Sequence, residues 1–130
     1  MSQFEWDDSL NVGVDRMNEQ HQQIIHLINV VADDVENNEN PLGSFDKLAN
    51  YVVRHFQEEE KYMESHNYSS LSSHKIIHKQ LLARVGQFRD SMVAGDLNTE
   101  DLFAFLRMWL KSHIKGIDQR YGIECANFQP

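Results

Sequence analysis

The stretch His55-Phe-Gln-Glu-Glu-Glu-Lys-Tyr-Met63, followed by His74-Lys-Ile-Ile-His78, sets the organisation of the whole chain. Residues four apart on an α-helix point the same way, so His55 with Glu59, and His74 with His78, each form a two-toothed claw on one face. Both claws lie on apolar stripes. Leu48, Tyr51, Val52, Phe56 and Met63 surround the first, while Ile77, Leu81, Leu82, Val85, Phe88 and Met92 continue the second. The claws therefore point into a core. Imidazoles and a carboxylate buried there without partners cost several kcal/mol, as an order of magnitude, and a bound metal removes that cost.

Working outward, each neighbouring segment reads as a helix. The periodicity of His21, Ile24, Ile25, Ile28, Val31, Ala32 and Val35 predicts a first helix over about 18–37, ended by the Pro41 and Gly43 region. Ser44 is the expected N-cap of a second helix over about 44–66. A third is expected over about 70–94, closed by Gly95, and a fourth over about 99–121, capped by Asn98 or Thr99 and ending before Gly122. Residues 1–17 carry Phe4, Trp6, Leu10, Val12 and Val14 without helical spacing and read as an arm lying across the rest. Four helices of roughly 20 residues with short connections predict an all-α, antiparallel up-down-up-down four-helix bundle forming a single domain over residues 1–130.

That topology brings His21, His55, Glu59, His74, His78, His113 and Asp118 to one end of the bundle, with every helix contributing. Asp118 fits least well, because a five-residue step from His113 is about 140° on an α-helix, so it reaches the site obliquely, as a bridging carboxylate does. A lone core histidine is usually only a hydrogen-bonded core residue. Five histidines and two acids at matching depth on four helices are hard to obtain from packing alone. His26, off the stripe, and His66, in a turn, read as solvated, and Glu58, Glu60 and Lys61 as a solvated face. Seven ligands exceed one site but suit two six-coordinate ions sharing carboxylates, and imidazole with carboxylate and no thiolate favours iron, with zinc also compatible.

Composition narrows the function. A formal charge of -8, with no basic cluster, excludes the phosphate-backbone contacts that nucleic-acid binding needs. No apolar run reaches membrane-spanning length, and the N-terminus lacks a basic region followed by an apolar stretch, so a cytoplasmic protein is expected. Cys125 is the single cysteine and has no internal disulfide partner.

The segments Trp6-Asp-Asp-Ser-Leu-Asn-Val-Gly13, Asn18-Glu-Gln-His21, His55-Phe-x-x-Glu59-Glu60, His74-x-x-x-His78 and His113-Ile-x-x-x-Asp118 resemble, in order and over essentially the whole chain, the successive motifs of the hemerythrins of the bacterial single-domain kind. The resemblance implies reversible O2 binding at a non-heme centre of two iron ions per chain, for storage or delivery to an oxygen-consuming enzyme. It implies one iron held by His74, His78 and His113 and a second by His21 and His55. Glu59 and Asp118 then bridge alongside an oxo or hydroxo group, and O2 occupies the position the two-histidine iron leaves open. Lys115 stands where bacterial relatives often have leucine, its stem expected to lie along the bundle with its charge in solvent. The side chains expected to face the O2 position are Ile24, Phe56, Trp109, Ile114 and Ile117, all apolar and without a proton donor. Two other readings compete: a sensor of O2 or redox state, and a di-iron enzyme acting on O2 or peroxide. Ferritin-like di-iron enzymes carry Glu-x-x-His motifs, absent here, and a sensor needs an output domain, so a non-enzymatic, monomeric O2 binder is expected.

Overall fold

The structure, a computed structural model, describes residues 4–130. Three long helices, α1 (Asp15–Glu36), α2 (Leu42–Ser65) and α3 (Leu71–Ala94), are followed by a fourth rod built from three consecutive pieces. These are α4 (Thr99–Met108), a π-helical stretch (Trp109–Asp118) and α5 (Gln119–Ala126). Together they form an all-α up-down-up-down bundle, with a short 3-10 turn at Asp8–Leu10 in the arm.

The helix ends follow local chemistry, and several differ from expectation. α1 begins at Asp15, not Asn18, with the Asp15 carboxylate in the positively polarised first turn. Asn18 lies inside the helix and pins the arm instead: its Oδ1 accepts from the Val12 N–H at 3.0 Å and its Nδ2 donates to Asn11 Oδ1 at 2.8 Å. α2 begins at Leu42 with Pro41 at its N-cap, not Ser44. Proline lacks an N–H and costs nothing where helix donors are unpaired anyway. Ser44 Oγ donates to Asp34 Oδ2 at 2.6 Å, tying α2 to the end of α1. α2 ends at Ser65 and α3 starts at Leu71, each one residue from the expected bound.

α3 closes as the sequence reads. Gly95 takes φ 76°, and the Gly95 and Asp96 N–H groups bond back to Met92 and Ser91. Asn98 caps α4, its Oδ1 accepting from the Asp101 N–H at 3.1 Å. Gly122, expected to lie beyond the helix, is buried inside α5, which continues to Ala126. Here glycine serves close packing: a Cβ at 122 would overlap the Val12 carbonyl of the arm. The arm therefore lies directly on the last helix, and Leu10 and Val12 are buried there.

The core divides lengthwise. Ile28, Val31, Ala32, Phe45, Leu48, Phe88, Leu102, Phe105 and Leu106 pack the end formed by the C-terminal halves of α1 and α3 and the starts of α2 and α4. Each of these side chains except that of Ala32 contributes about 1.5–3 kcal/mol of burial, before chain entropy is set against it. The other end holds every buried polar side chain among the described residues.

Candidate metal centre

His21 (α1), His55 and Glu59 (α2), His74 and His78 (α3), and His113 and Asp118 (π-helical stretch) are all buried, none more than 3% exposed. They fall into two groups whose ligand atoms lie within 4.8 Å of one another: His74, His78, His113 and Asp118, and His21, His55 and Glu59. The π-helical stretch explains how Asp118 takes part. Its wider turn, with i→i+5 bonding, rotates less per residue and brings a residue five positions on much nearer its predecessor's face, whereas an α-helix swings it to the side. Asp118 Oδ1 consequently stands 3.2 Å from His113 Nε2, with no oblique reach required.

The two carboxylates span the groups. Glu59 Oε1 lies 3.2 Å from His78 Nε2, while its Oε2 lies 3.4 Å from both His21 and His55 Nε2. Asp118 Oδ1 lies 3.1 Å from His74 Nε2, and its Oδ2 lies 3.3 Å from His21 Nε2. These separations do not make hydrogen bonds. The Nε2 atoms of all five histidines, Glu59 Oε1 and both Asp118 oxygens are buried without a hydrogen-bond partner among the described residues. Orphaned buried polar atoms are rare and costly, and here they surround common points, as ligands of cations do. The donor set of five imidazoles and two carboxylates fits a pair of iron ions.

Electrostatics agree. Burial opposes the charged form of His21, yet the flanking Asp118 and Glu59 carboxylates outweigh it and hold the imidazolium up to about 9. Burial likewise opposes ionisation of Glu59 and Asp118, and the surrounding imidazoles overcome it, lowering both. A cluster that draws protons to His21 and His78 is one in which a cation can replace them.

Three residues around the ligands were not legible as site residues. His55 Nδ1 donates to Gln20 Oε1 at 2.6 Å. His78 Nδ1 donates to Glu60 Oε2 at 2.8 Å, so Glu60 belongs to the site and not to a solvated face. The Tyr121 hydroxyl donates to Glu59 Oε2 at 2.6 Å, and burial foremost, with the Glu59 and Asp118 charges, raises its pKa well above the usual phenol value. Glu58 is also engaged, accepting from Gln20 Nε2 at 3.0 Å and from Arg16. Gln20 sits beside a ligand in sequence, and Tyr121 lies about one turn beyond Asp118 on the same rod.

Of the expected apolar lining, Ile24, Phe56, Trp109 and Ile114 are buried and Ile117 is half-buried. Phe56 stacks flat on His78, with centroids 3.8 Å apart and planes at 6°, and Trp109 packs beside it at 5.8 Å. Its ring thus lies against a histidine of the three-histidine group. His26 and His66 are exposed, and so is Lys115, which borders a surface cleft with Arg107 and Lys111 beside the arm.

An all-α bundle that buries two histidine-and-carboxylate ligand groups, joined by two shared carboxylates, defines a dinuclear metal protein. The model of the hemerythrin HHE cation-binding domain matches residues 12–122. Bacteriohemerythrin from Stenotrophomonas maltophilia is 32% identical over 123 residues, covering 93% of this chain and 80% of the relative. Myohemerythrin from Riftia pachyptila is 32% identical over 120 residues, covering 92% of each. A crystal structure of wild-type hemerythrin superposes with a TM-score of 0.86 at 27% identity, covering 98% of this chain and 100% of that one. The chain belongs to the hemerythrin family.

Proposed function

We propose that the chain binds O2 reversibly at a di-iron centre, with His74, His78 and His113 on one iron, His21 and His55 on the other, and Glu59 and Asp118 spanning both. The observation that carries this reading is the placing of each carboxylate's two oxygens, one toward each histidine group. The iron pair supplies the electrons that O2 takes up on binding and returns on release. The protein's part is to hold that pair in a dry site. Ile24, Trp109 and Ile114 exclude water from the ligand end, which withholds the protons that would turn binding into irreversible chemistry. Tyr121 is the one hydroxyl hydrogen-bonded to a ligand carboxylate among the described residues. Its proton is committed to Glu59, and its raised pKa keeps the phenol neutral.

The role is storage of O2 or its delivery to an oxygen-consuming enzyme, in the cytoplasm, by a monomer. The lone cysteine suits a reducing compartment, and the exposed large apolar side chains Val30, Val53, Ile76, Val93, Met108 and Ile123 are distributed over all four rods of the bundle, not gathered on one. No helix among the described residues is long and apolar enough to cross a membrane. Metal content and optical spectra test the reading. The expected result is two irons per chain and a spectral change on admitting O2 to the reduced protein that reverses when O2 is removed. A single metal per chain, preference for zinc when both are supplied, or oxidation without recovery of the reduced spectrum would overturn it.

A further inference from the structure

The two halves of the site are supported differently from outside. At His78 the outer partner is the Glu60 carboxylate, which accepts the Nδ1 proton at 2.8 Å. At His55 it is a neutral amide, Gln20, at 2.6 Å. The orientation of that amide is forced. Glu58 only accepts, so the Gln20 nitrogen that lies 3.0 Å from it must be the NH2 end, which turns the carbonyl oxygen to His55. Arg16 in turn holds Glu58. His21 Nδ1 is buried and has no outer partner among the described residues.

A hydrogen bond to the far nitrogen of a ligating imidazole fixes which nitrogen faces the metal, and an anionic acceptor makes that nitrogen a stronger donor than a neutral one does. We propose that Gln20, oriented by Glu58, and Glu60 are positioning residues for the two halves of the centre, and that the neutral support of His55 makes the His21 and His55 half the one that exchanges its metal first. This rests on the di-iron reading above. Ligand count already favours release from the two-histidine half; the outer shell adds a difference that substitution can reverse.

The experiment follows iron(II) leaving the loaded protein into a strong chelator, without O2, alongside metal stoichiometry and melting of the metal-free protein. The parent releases metal in two phases. Gln20→Leu is expected to speed the fast phase by about 10–100-fold and leave the slow one unchanged. Glu58→Ala, which leaves Gln20 in place but unanchored, speeds the same phase by less. Glu60→Gln speeds only the slow phase. The paired exchange Gln20→Glu with Glu58→Gln keeps the charge, places the carboxylate against His55 with an amide to hold it, and slows the fast phase. A merely structural role would lower the melting temperature of the metal-free variants in step with their release rates, and that outcome overturns the proposal. So does a fast phase that neither Gln20→Leu nor the paired exchange moves, or a change that falls equally on both phases. A parent that loads fewer than two irons overturns the di-iron reading as well. Two irons, reversible O2 spectra and unmoved release rates overturn this inference alone.

Discussion

At the residue scale, the ligand cluster makes the metal-free protein respond to pH in a way the loaded protein does not. His21 has its imidazolium held up to about 9 in the fold against an ordinary 6.5, and His78 is raised as well, in both cases because the buried carboxylates outweigh desolvation. A raised folded-state pKa contributes stability that is complete below the unfolded value and is lost as pH climbs through the folded one. Glu59 and Asp118 are lowered, so their contribution is present above their ordinary values of 4.5 and 3.8 and is lost on acidification. The metal-free chain should therefore be most stable between roughly pH 4.5 and 6.5 and lose stability toward 9. Bound cations take the place of the protons and remove the alkaline decline. Thermal melts of chelator-treated protein at pH 6 and 9 check this. A melting temperature that holds or rises over that interval would show that His21 and His78 are not proton-paired with the carboxylates.

At the element scale, the last helix shows where sequence reading succeeds and where it stops. The apolar stripe of Leu102, Leu106, Trp109, Leu110 and Ile114 places His113 inward by α-helical counting, and the structure buries it. The same counting puts Asp118 askew, because a 3.6-residue period carries no sign that hydrogen bonding will slip to i→i+5 between Trp109 and Asp118. Gly122 misleads for a related reason. Glycine after a periodic run usually ends a helix, but here it admits the Val12 carbonyl, a contact between residues 110 positions apart that no local window contains. Gln20 and Glu60 were hidden because their role lies in reaching a histidine on another helix, which periodicity within one helix does not report. The glycine reading predicts a pair of opposite effects. Gly122→Ala must displace the arm and should destabilise by about 1–3 kcal/mol, as over-packing does. Gly86→Ala, in the middle of α3 with nothing within 4 Å of the added carbon, should stabilise by about 0.5–1 kcal/mol. Urea denaturation of both variants decides it; an arm that tolerates Gly122→Ala at no cost would mean that Val12 is not held against α5.

At the scale of the whole molecule, the bundle is two structures joined end to end. One end is filled by aliphatic and phenyl side chains that need no further partner, from Ile28 and Val31 across to Phe45, Phe88, Leu102 and Phe105. The other is filled by imidazoles and carboxylates whose inward atoms have no hydrogen-bond partners among the described residues, so its cohesion depends on what those atoms bind. A ligand that binds only the folded state stabilises by about 3–4 kcal/mol per site when free metal exceeds the dissociation constant by 100- to 1,000-fold. Removing iron should accordingly lower the melting temperature, and the loss should not be shared evenly. Local opening follows the least satisfied contacts, so amide exchange should accelerate around His21, His55 to Glu60, His74 to His78 and the π-helical stretch. The amides between Ile28 and Val35, and between Leu102 and Phe105, should keep most of their protection, because the apolar end retains every contact it had. Hydrogen exchange on loaded and chelated protein, read segment by segment, distinguishes this from uniform loosening. Equal acceleration at both ends would mean that the apolar end cannot stand without the metal centre, and that the bundle folds and opens as one cooperative unit.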